Sequence, residues 1–245
     1  MKKCVVFLAL VLLLLSISCT KKNREMTILT ENYPPLSYAE NGVVTGFGAE
    51  VVAAIQKELK TNSTPVLLKW DEAYQRALSE PNVLIFTIEK TPEREGKFNF
   101  IGPLGANTTY FYALAESKID LADLEAAKQV TSIATTTNWF SEQLLMEKGF
   151  TNLYSKADPV ETLKMLTSKE ADLAIFTDIS FPQLCQVAGV SPSAFKPVLE
   201  VLQSEYYIAI SKSTDPKDVL QWEKAFDKLS ADGTLASLKN KWFPQ

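Results

Sequence analysis

The sequence predicts an α/β protein, and three observations lead to this fold class. Segments with strand character alternate with segments of helical spacing from residue 26 almost to the C-terminus. Such alternation predicts largely parallel sheets with helices on both faces. Hydrophobic residues make up 46% of the chain, which is enough for a packed core. No Gly/Ser-rich linker, low-complexity stretch or short repeat interrupts the pattern, so the 245 residues are compatible with one or two domains.

Strands are predicted where short runs of apolar, β-branched or aromatic residues occur. The segment 83–87 is apolar except for its last residue, which indicates a strand buried on both faces. The predicted strands, in chain order, are 26–30, 66–69, 83–87, 109–114, 130–134, 172–176, 198–202 and 206–211.

Helices are predicted from apolar spacing and from capping signals. The first carries apolar residues at positions 51, 52, 55 and 59, which share one helical face. Asp158-Pro159 and Asp215-Pro216 each combine a capping acid with a proline at the first helical position. Asp71 is placed to cap a third helix. The predicted helices are 46–59, 71–78, 120–127, 140–148, 159–166 and one that begins at 216.

The N-terminus has the pattern of an export signal. An apolar run at 5–15 suits the core of a signal peptide and is too short to span a bilayer as a helix. We therefore expect residues 1–18 to be removed. Cleavage before Cys19 predicts a lipoprotein acylated there, although Ser16 stands where such sites usually carry Leu; the alternative is ordinary cleavage without a lipid. Residues 19–25 then form a polar tether.

Composition excludes several function classes. The chain has a net charge of −4, and removing Lys2 and Lys3 with the leader leaves 23 basic against 29 acidic side chains, or −6. This charge argues against a nucleic-acid partner. The chain contains no histidine, which excludes Ser-His and Cys-His nucleophile systems and any Cys/His zinc cluster. We expect no metal, no cofactor and no disulfide framework, with Cys185 free and buried.

Arginine is scarce, which draws attention to Arg94. The only arginines are Arg24, Arg76 and Arg94, against 22 lysines. A guanidinium matches a carboxylate with two parallel hydrogen bonds, which an ammonium cannot do. Arg94 lies in the segment TPEREGKFNFIGP at 91–103. It is therefore a candidate for holding a ligand carboxylate, and the alternative is an arginine that serves surface or packing only.

Four segments resemble the type 3 extracellular solute-binding proteins, which capture amino acids and similar molecules for bacterial ABC importers. Together they cover almost all of the chain behind the leader, in the family's order. They are 30–50 with TENYPPLSY and GFGAE, 91–102 around Arg94, 172–178, and 222–243 with the C-terminal helices.

The resemblance implies a periplasmic binding protein-like fold, in which two α/β lobes with a ligand cleft are joined by two crossover strands. Lobe 1 is expected at 26–112 and 206–245 and lobe 2 at 113–205, with crossings near Tyr112 and Glu205. Ligand binding is expected to close the lobes by a hinge motion. The expected location is the periplasm, or the outer face of a membrane through a lipid anchor.

The resemblance also implies a function. We expect a monomeric binding protein, not an enzyme, that captures a small polar carboxylate, in particular an amino acid. Its partner is expected to be an ABC permease or a membrane sensor. Two alternatives stay open: a periplasmic dehydratase of the prephenate or arogenate type, and a ligand sensor without a transport role.

Site residues on the first lobe follow from the resemblance. Arg94 is expected to hold the ligand carboxylate, and Thr87 to offer backbone and hydroxyl groups at the end of a strand. Tyr33 is the favoured aromatic wall, whereas tryptophans such as Trp70 and Trp139 are more often core residues than walls of a cleft. Glu89 departs from the small hydroxyl residue that related binders often place there. It is expected to pair with Arg94, to bind a cationic ligand group, or to be a solvated surface residue.

Second-lobe candidates lie before a predicted helix and after a predicted strand. Thr137 and Asn138 are expected to grip the ligand carboxylate through a helix N-terminus, or simply to cap that helix. Asp178 is expected to accept a ligand amino group. The count from Asp172 is one residue longer than in amino-acid binders, where the acid would fall at Thr177. Either the loop shifts by one residue, so that Asp178 or Thr177 takes this position, or the protein lacks the amine anchor and its ligand is not an ordinary α-amino acid.

Overall fold

The computed structural model describes residues 25–243. The predicted signal peptide at 1–18 and the predicted acylation site Cys19 lie outside these residues, as does the predicted tether except for its last residue. Within the described range, no helix has the length and apolar character needed to cross a membrane.

Strands and helices alternate through the described chain, as predicted. The strands are β1 Thr27–Thr30, β2 Tyr38–Glu40, β3 Val43–Thr45, β4 Val66–Leu67, β5 Val83–Glu89, β6 Phe98–Leu114, β7 Ile133–Thr136, β8 Leu153–Lys156, β9 Leu173–Thr177 and β10 Phe195–Ser211. The α-helices are α1 Phe47–Leu59, α2 Trp70–Ser79, α3 Pro92–Glu95, α4 Leu124–Ala127, α5 Phe140–Glu147, α6 Pro159–Thr167, α7 Phe181–Ala188, α8 Pro216–Ala231 and α9 Thr234–Trp242.

Eight strands form one mixed sheet in the order β4-β1-β5-β10-β6-β9-β7-β8, and β2 pairs separately with β3. Strand β1 is parallel to β4 and β5, and β7 is parallel to β8 and β9. Strand β10 is antiparallel to β5 and β6, and β6 is antiparallel to β9. The predicted α/β class is thus confirmed, with the two long antiparallel strands β6 and β10 added to the parallel pairs.

We call β1, β4, β5 and their helices α1, α2, α3, α8 and α9 the first half, and β7, β8, β9 with α4 to α7 the second half. Strands β6 and β10 pair with each other from Leu114 opposite Phe195 to Phe98 opposite Ser211, so both extend through the two halves. In the first half, one apolar cluster includes Phe47 and Trp222, and another includes Ala73. Strands β1 and β5 pack into these cores, and residues of the site lie at their carboxyl ends.

The passage between the halves occurs in the middle of β6 and β10. Strand β10 pairs with β5 from Tyr206 onward, and β6 pairs with β9 from Thr109 onward. Tyr112, near which a crossing was expected, lies opposite Ala174 of β9, and Glu205 lies opposite Ala106 of β6. The lobe boundaries 26–112, 113–205 and 206–245 stay a prediction.

Of the three N-cap residues predicted from the sequence, two are confirmed and one is wrong. The side chains of Asp158 and Asp215 accept hydrogen bonds from the backbone N–H groups of Val160 and Lys217, as capping requires. The predicted cap at Asp71 is wrong, because α2 begins one residue earlier and its N-cap is Lys69. The Asp71 carboxylate is used elsewhere, in a contact with the second half.

Candidate ligand-binding site

A small cavity lies where the two halves meet. Its volume is about 30 Å³, room for one or two water-sized groups. The first half contributes Glu31, Tyr33 and Glu89, which lie at or after the carboxyl ends of β1 and β5. This edge of a parallel sheet is where α/β proteins usually bind ligands. The second half contributes Trp139, Phe140, Ser141, Phe176 and Thr177.

Two larger clefts open on either side of this cavity. One, of about 980 Å³, is lined by Arg94, Trp70 and Tyr74 together with Glu89 and Phe140, which it shares with the small cavity. The other, of about 740 Å³, is lined by residues that include Thr137 and Asn138. The small cavity and the larger cleft are therefore joined at Glu89, next to Arg94.

Arg94 is buried at the wall of the larger cleft, with 4% of its surface exposed. The short helix α3, which starts at Pro92, turns its side chain back toward β5. Nη1 donates to the backbone oxygen of Glu89 at 3.2 Å, and the guanidinium lies 5.0 Å from the Trp70 ring centre and 5.5 Å from that of Tyr74. Among residues 25–243, no carboxylate oxygen lies within 4.0 Å of it. The aromatic rings hold the guanidinium in place without neutralising its charge.

Two carboxyl groups share the small cavity. Burial, together with the negative charge of Glu89, raises the pKa of Glu31 to about 8, against the opposing effects of Arg94 and Trp139. Burial also raises the pKa of Glu89, opposed chiefly by the charge of Arg94. Like charges placed close together in a desolvated site cannot both ionise cheaply. The pair therefore holds a proton readily near neutral pH.

The two halves contact each other directly around this cavity. The Tyr33 hydroxyl and the Thr177 hydroxyl lie 2.7 Å apart, and the Tyr33 ring stands edge-on to Trp139 with centres 5.4 Å apart. A second bridge lies at the cleft mouth, where Nδ2 of Asn138 donates to Oδ2 of Asp71 at 2.7 Å. Both contacts join the first half to the second.

The loop at Thr137 and Asn138 directs its N–H groups to internal partners. The N–H of Thr137 donates to the backbone oxygen of Lys156 at 2.9 Å, and that of Asn138 to Oε2 of Glu142 at 2.6 Å. Glu142 is buried at the start of α5 and also accepts from the hydroxyls of Thr135 and Ser155. The Glu142 carboxylate therefore accepts the hydrogen bond that the Asn138 N–H was expected to donate to a ligand carboxylate.

Asp178 and Thr177 point in different directions. Thr177 is the last residue of β9 and lines the small cavity. Asp178 is exposed, and its Oδ1 accepts from the N–H of Thr108 on β6 at 3.0 Å. Its own N–H donates to the Thr108 oxygen at 2.9 Å. Asp178 thus ties the end of β9 to a crossing strand, and its side chain does not line the small cavity.

Thr87 lies behind the cavity wall. It is buried with φ +64°, and its hydroxyl donates to the backbone oxygen of Phe86 at 2.6 Å. The same hydroxyl lies 3.2 Å from that of Ser37, which donates to the backbone oxygen of Glu31 at 2.9 Å. Thr87 therefore supports the segment that carries Glu31.

Comparison with known proteins decides the family. A family model described as bacterial extracellular solute-binding proteins, family 3, matches residues 26–245. The chain belongs to this family. This solute-binding protein is 25% identical over 234 residues to the L-cystine-binding protein TcyA of Bacillus subtilis (strain 168), covering 91% of this chain and 82% of that one. It is 26% identical over 117 residues to the octopine-binding periplasmic protein of Rhizobium meliloti, covering 46% and 39% of the two chains.

Solved structures share the fold. A histidine kinase sensor domain with similarity to periplasmic binding proteins superposes with a TM-score of 0.81 at 19% identity, covering 91% of this chain and 98% of that chain. The P235GK mutant of ArgBP from T. maritima superposes with a TM-score of 0.78 at 16% identity, covering 91% and 96%. At these identities the likeness shows the fold alone, which is periplasmic binding protein-like as expected.

The structure of the solute-binding protein brings together Glu31, Tyr33, Glu89 and Arg94 around the joined cavity and cleft. It also places Glu142 against the loop at Asn138, whose N–H it accepts. The sequence singled out neither Glu31 nor Glu142. Glu31 follows the end of β1, and an acid at a strand's carboxyl end is a signal that could have indicated it. Glu142 gave no such signal, since it reads as an ordinary acid in the first turn of a helix. Within the described residues, no group of three or more Cys, Asp or Glu side chains is arranged to hold a metal ion.

Proposed function

We propose that this solute-binding protein captures an amino acid between its two halves and presents it to an ABC importer. The single observation that carries the proposal is Arg94. It is buried beside the adjacent rings of Trp70 and Tyr74, has no carboxylate oxygen within 4.0 Å among residues 25–243, and presents a planar fork suited to a carboxylate. A ligand carboxylate placed there leaves the ligand's ammonium next to Glu89 and the small cavity.

The other predicted site residues take supporting roles in this proposal. Tyr33 and Asn138 hold the halves together around the ligand, and Thr87 supports the segment of Glu31. Thr137 contributes to the cleft mouth. Thr177, rather than Asp178, faces the ligand from the end of β9. The middle of β6 and β10 provides the hinge, because these strands alone belong to both halves of the described chain.

The names of relatives support an amino-acid ligand. TcyA binds L-cystine, another relative binds octopine, and structures of similar fold include binding proteins for arginine, lysine and histidine. We further propose that the protein works outside the cytoplasmic membrane, after loss of residues 1–18 and with Cys19 as its acylation site. Mass spectrometry of the protein from a native membrane, compared with a Cys19→Ala variant, tests that anchor.

The direct test of binding is a thermal shift screen of residues 20–245 against L-amino acids, polyamines and organic acids. A ligand at about 100 times its dissociation constant adds about 2.7 kcal/mol of stability, or roughly 5–10 °C in melting temperature. We expect such a shift with one class of amino acids and its loss in Arg94→Ala. The absence of a shift with every amino acid overturns the proposal.

A second candidate function follows from the protonated acid in the cavity. A carboxyl group that keeps its proton at neutral pH is a candidate general acid, and one structure of similar fold is an ancestral amino-acid-binding protein described as a precursor of cyclohexadienyl dehydratase. The two functions are distinguished by incubating the protein with prephenate and following the absorbance of prephenate over time. Steady turnover that is lost in Glu31→Gln favours the dehydratase, and an unchanged substrate favours binding alone.

A further inference from the structure

The indole of Trp139 stands between two spaces of the site. It lines the small cavity and also the cleft of about 740 Å³, which we call the second cleft. Glu31 lines both spaces as well. The cleft of about 980 Å³ that contains Arg94, which we call the Arg94 cleft, meets the small cavity at Glu89 and Phe140. The path from Arg94 through the small cavity therefore ends at the Trp139 ring.

The backbone around Trp139 fixes the point from which this ring projects. Asn138 has φ +62°, a left-handed conformation that asparagine adopts more readily than most residues. The Trp139 N–H then donates to the Thr136 oxygen at 3.1 Å, and the Trp139 oxygen accepts from the N–H of Gln143 at 3.1 Å. The residue is thus bonded to the chain on both sides, at the N-cap position of α5.

The ring of Trp139 belongs to the second half and packs against the first. It stands edge-on to Tyr33 with ring centres 5.4 Å apart, and it contacts the first-half cluster that includes Phe47. An edge-on aromatic pair stabilises a fixed orientation beyond the effect of burial. The indole is therefore a wall held by both halves, and it stays half-buried because it borders the small cavity and the second cleft.

The residue before Trp139 blocks the other route into the second cleft. Asp71 lines both the Arg94 cleft and the second cleft, and Nδ2 of Asn138 donates to its Oδ2 at 2.7 Å. Asn138 thus lies between the two larger clefts, and Trp139 lies between the small cavity and the second cleft. The two residues form one continuous barrier.

The small cavity suits an apolar group better than the Arg94 cleft does. Its aromatic lining residues are Tyr33, Trp139, Phe140 and Phe176. The Arg94 cleft is lined by many charged side chains, which include Lys90, Glu93, Glu95, Lys97, Glu147 and Glu205. Apolar surface gains more from contact with aromatic rings than from a position among hydrated charges. An aliphatic side chain whose carboxylate lies at Arg94 is therefore directed toward Trp139.

We propose, building on the amino-acid-binding function above, that Trp139 is a specificity-determining residue that limits the length of the ligand's side chain. A cavity of about 30 Å³ has room for one or two water-sized groups. The ligand class is then that of α-amino acids with short side chains. Without the indole, the small cavity opens into the second cleft, and a longer aliphatic chain is accepted there.

Calorimetry with L-alanine, L-norvaline and L-norleucine tests this limit in the unmodified protein, Trp139→Phe and Trp139→Ala. We expect the unmodified protein to bind norleucine at least about tenfold more weakly than alanine. In Trp139→Ala the order should reverse, because each methylene that leaves water adds roughly threefold in affinity. Trp139→Phe keeps a smaller ring and should fall between them.

Trp242→Ala is the matched control for loss of an indole. Trp242 is also half-buried and stands edge-on to a tyrosine, Tyr38, but it lines neither the small cavity nor the two larger clefts. It should keep the preference of the unmodified protein for alanine. Equal binding of alanine and norleucine by the unmodified protein overturns the inference, as does an unchanged preference in Trp139→Ala.

The barrier can also be tested without a ligand. Ser141→Cys places a thiol in the wall of the small cavity, and its reaction with 2-(trimethylammonium)ethyl methanethiosulfonate is followed by mass spectrometry. Residues 20–245 are used, in which the native Cys185 is buried. Thiol reactivity depends on access, so we expect labelling at least about tenfold faster when Trp139→Ala is added. Adding Trp242→Ala instead should leave the rate unchanged.

Tyr33→Phe distinguishes loss of the barrier from a general loosening of the two halves, because it removes the hydroxyl contact with Thr177 and keeps both rings. Equal acceleration of labelling by Tyr33→Phe and Trp139→Ala overturns the inference, and so does no acceleration by Trp139→Ala. If no amino acid binds the unmodified protein, the proposed function fails. The labelling rates then decide by themselves whether Trp139 closes the small cavity.

Discussion

The Tyr33 hydroxyl lies 2.7 Å from the hydroxyl oxygen of Thr177, a residue 144 positions further along the chain. Tyr33 follows β1 in the first half, and Thr177 ends β9 in the second. Thr177 is in turn 2.9 Å from the hydroxyl of Ser180. The pair therefore couples the two sides of the cleft at the wall of the small cavity.

Tyr33→Phe removes the hydroxyl contact and keeps the ring that packs against Trp139. A hydrogen bond of this kind contributes about 0.5–1.5 kcal/mol. We expect ligand affinity to fall about 3- to 10-fold, with faster dissociation, measured by calorimetry and stopped-flow fluorescence. Tyr154→Phe, which alters an exposed tyrosine of the second half, is the control. Equal affinities for Tyr33→Phe and the unmodified protein would exclude Tyr33 from cleft closure.

Arg94→Lys tests the geometry of carboxylate capture while keeping the positive charge. A lysine ammonium cannot form two parallel bonds to a carboxylate, and it lacks the planar group that contacts the rings of Trp70 and Tyr74. We expect ligand affinity to fall at least about 30-fold, or about 2 kcal/mol. Arg76→Lys is matched in chemistry, because Arg76 makes an exposed ion pair with Glu80 on α2. Retention of full affinity in Arg94→Lys would place the ligand carboxylate elsewhere.

Thr177→Val and Asp178→Ala decide which residue faces the ligand at the end of β9. Since only Thr177 lines the small cavity, we expect Thr177→Val to weaken binding about 5-fold or more. Asp178→Ala should leave affinity within about twofold and lower the free energy of unfolding by about 1 kcal/mol, through loss of the bond to Thr108. Calorimetry and urea unfolding measure the two effects. Unchanged affinity in Thr177→Val together with a loss of affinity in Asp178→Ala would identify Asp178 as the acceptor of the ligand's amino group.

Glu31 should give the protein an unusual dependence of stability on pH. Its pKa is about 8 in the folded state against 4.5 for the ordinary group, so the folded state binds more protons between these values. The contribution of Glu31 to stability is then fully present below about pH 4.5 and is lost as pH rises toward 8. We expect Glu31→Gln, without ligand, to stabilise the protein by about 2 kcal/mol at pH 8, or roughly 4–8 °C, and to have little effect at pH 5.

Glu40→Gln serves as the reference for that measurement, since Glu40 is exposed on β2 and no partner among the described residues holds its side chain. Urea unfolding at both pH values provides the free energies. A Glu31→Gln variant that is equally stable at pH 5 and pH 8 relative to the unmodified protein would show that Glu31 ionises freely in the fold.

Glu142→Ala should damage the fold rather than the chemistry of binding. It removes the acceptor of the Asn138 N–H and one of the two side-chain partners of the Thr135 hydroxyl, whose other partner is the Ser155 hydroxyl at 2.9 Å. A polar group that loses a partner costs about 1–3 kcal/mol when buried. Because Asn138 is exposed and Thr135 keeps Ser155, we expect a loss of about 1–2 kcal/mol and roughly 2–8 °C in melting temperature. Glu147→Ala, at the exposed end of the same helix, is the control. Unchanged melting would contradict the proposed role of the carboxylate.

The sequence by itself determined the α/β class, most of the strand and helix positions and the candidate Arg94. Periodicity and caps are local properties, which is why Asp158 and Asp215 were identified correctly as caps. The scarcity of arginine and the surrounding motif indicated Arg94 before its aromatic neighbours were known. The two strands predicted at 198–202 and 206–211 proved to be parts of one long strand, β10, because its partners β6 and β5 lie far away in sequence.

Only the tertiary structure decided which side chains share the cavity. Successive residues of a strand point to opposite faces, so the choice between Thr177 and Asp178 depended on a register with β6 that no local pattern encodes. Glu31 acquired its significance from the nearby end of β5, and Glu142 from a loop that its carboxylate reaches in space. A pKa is set by burial and by neighbouring charges, and both exist only once the chain has folded.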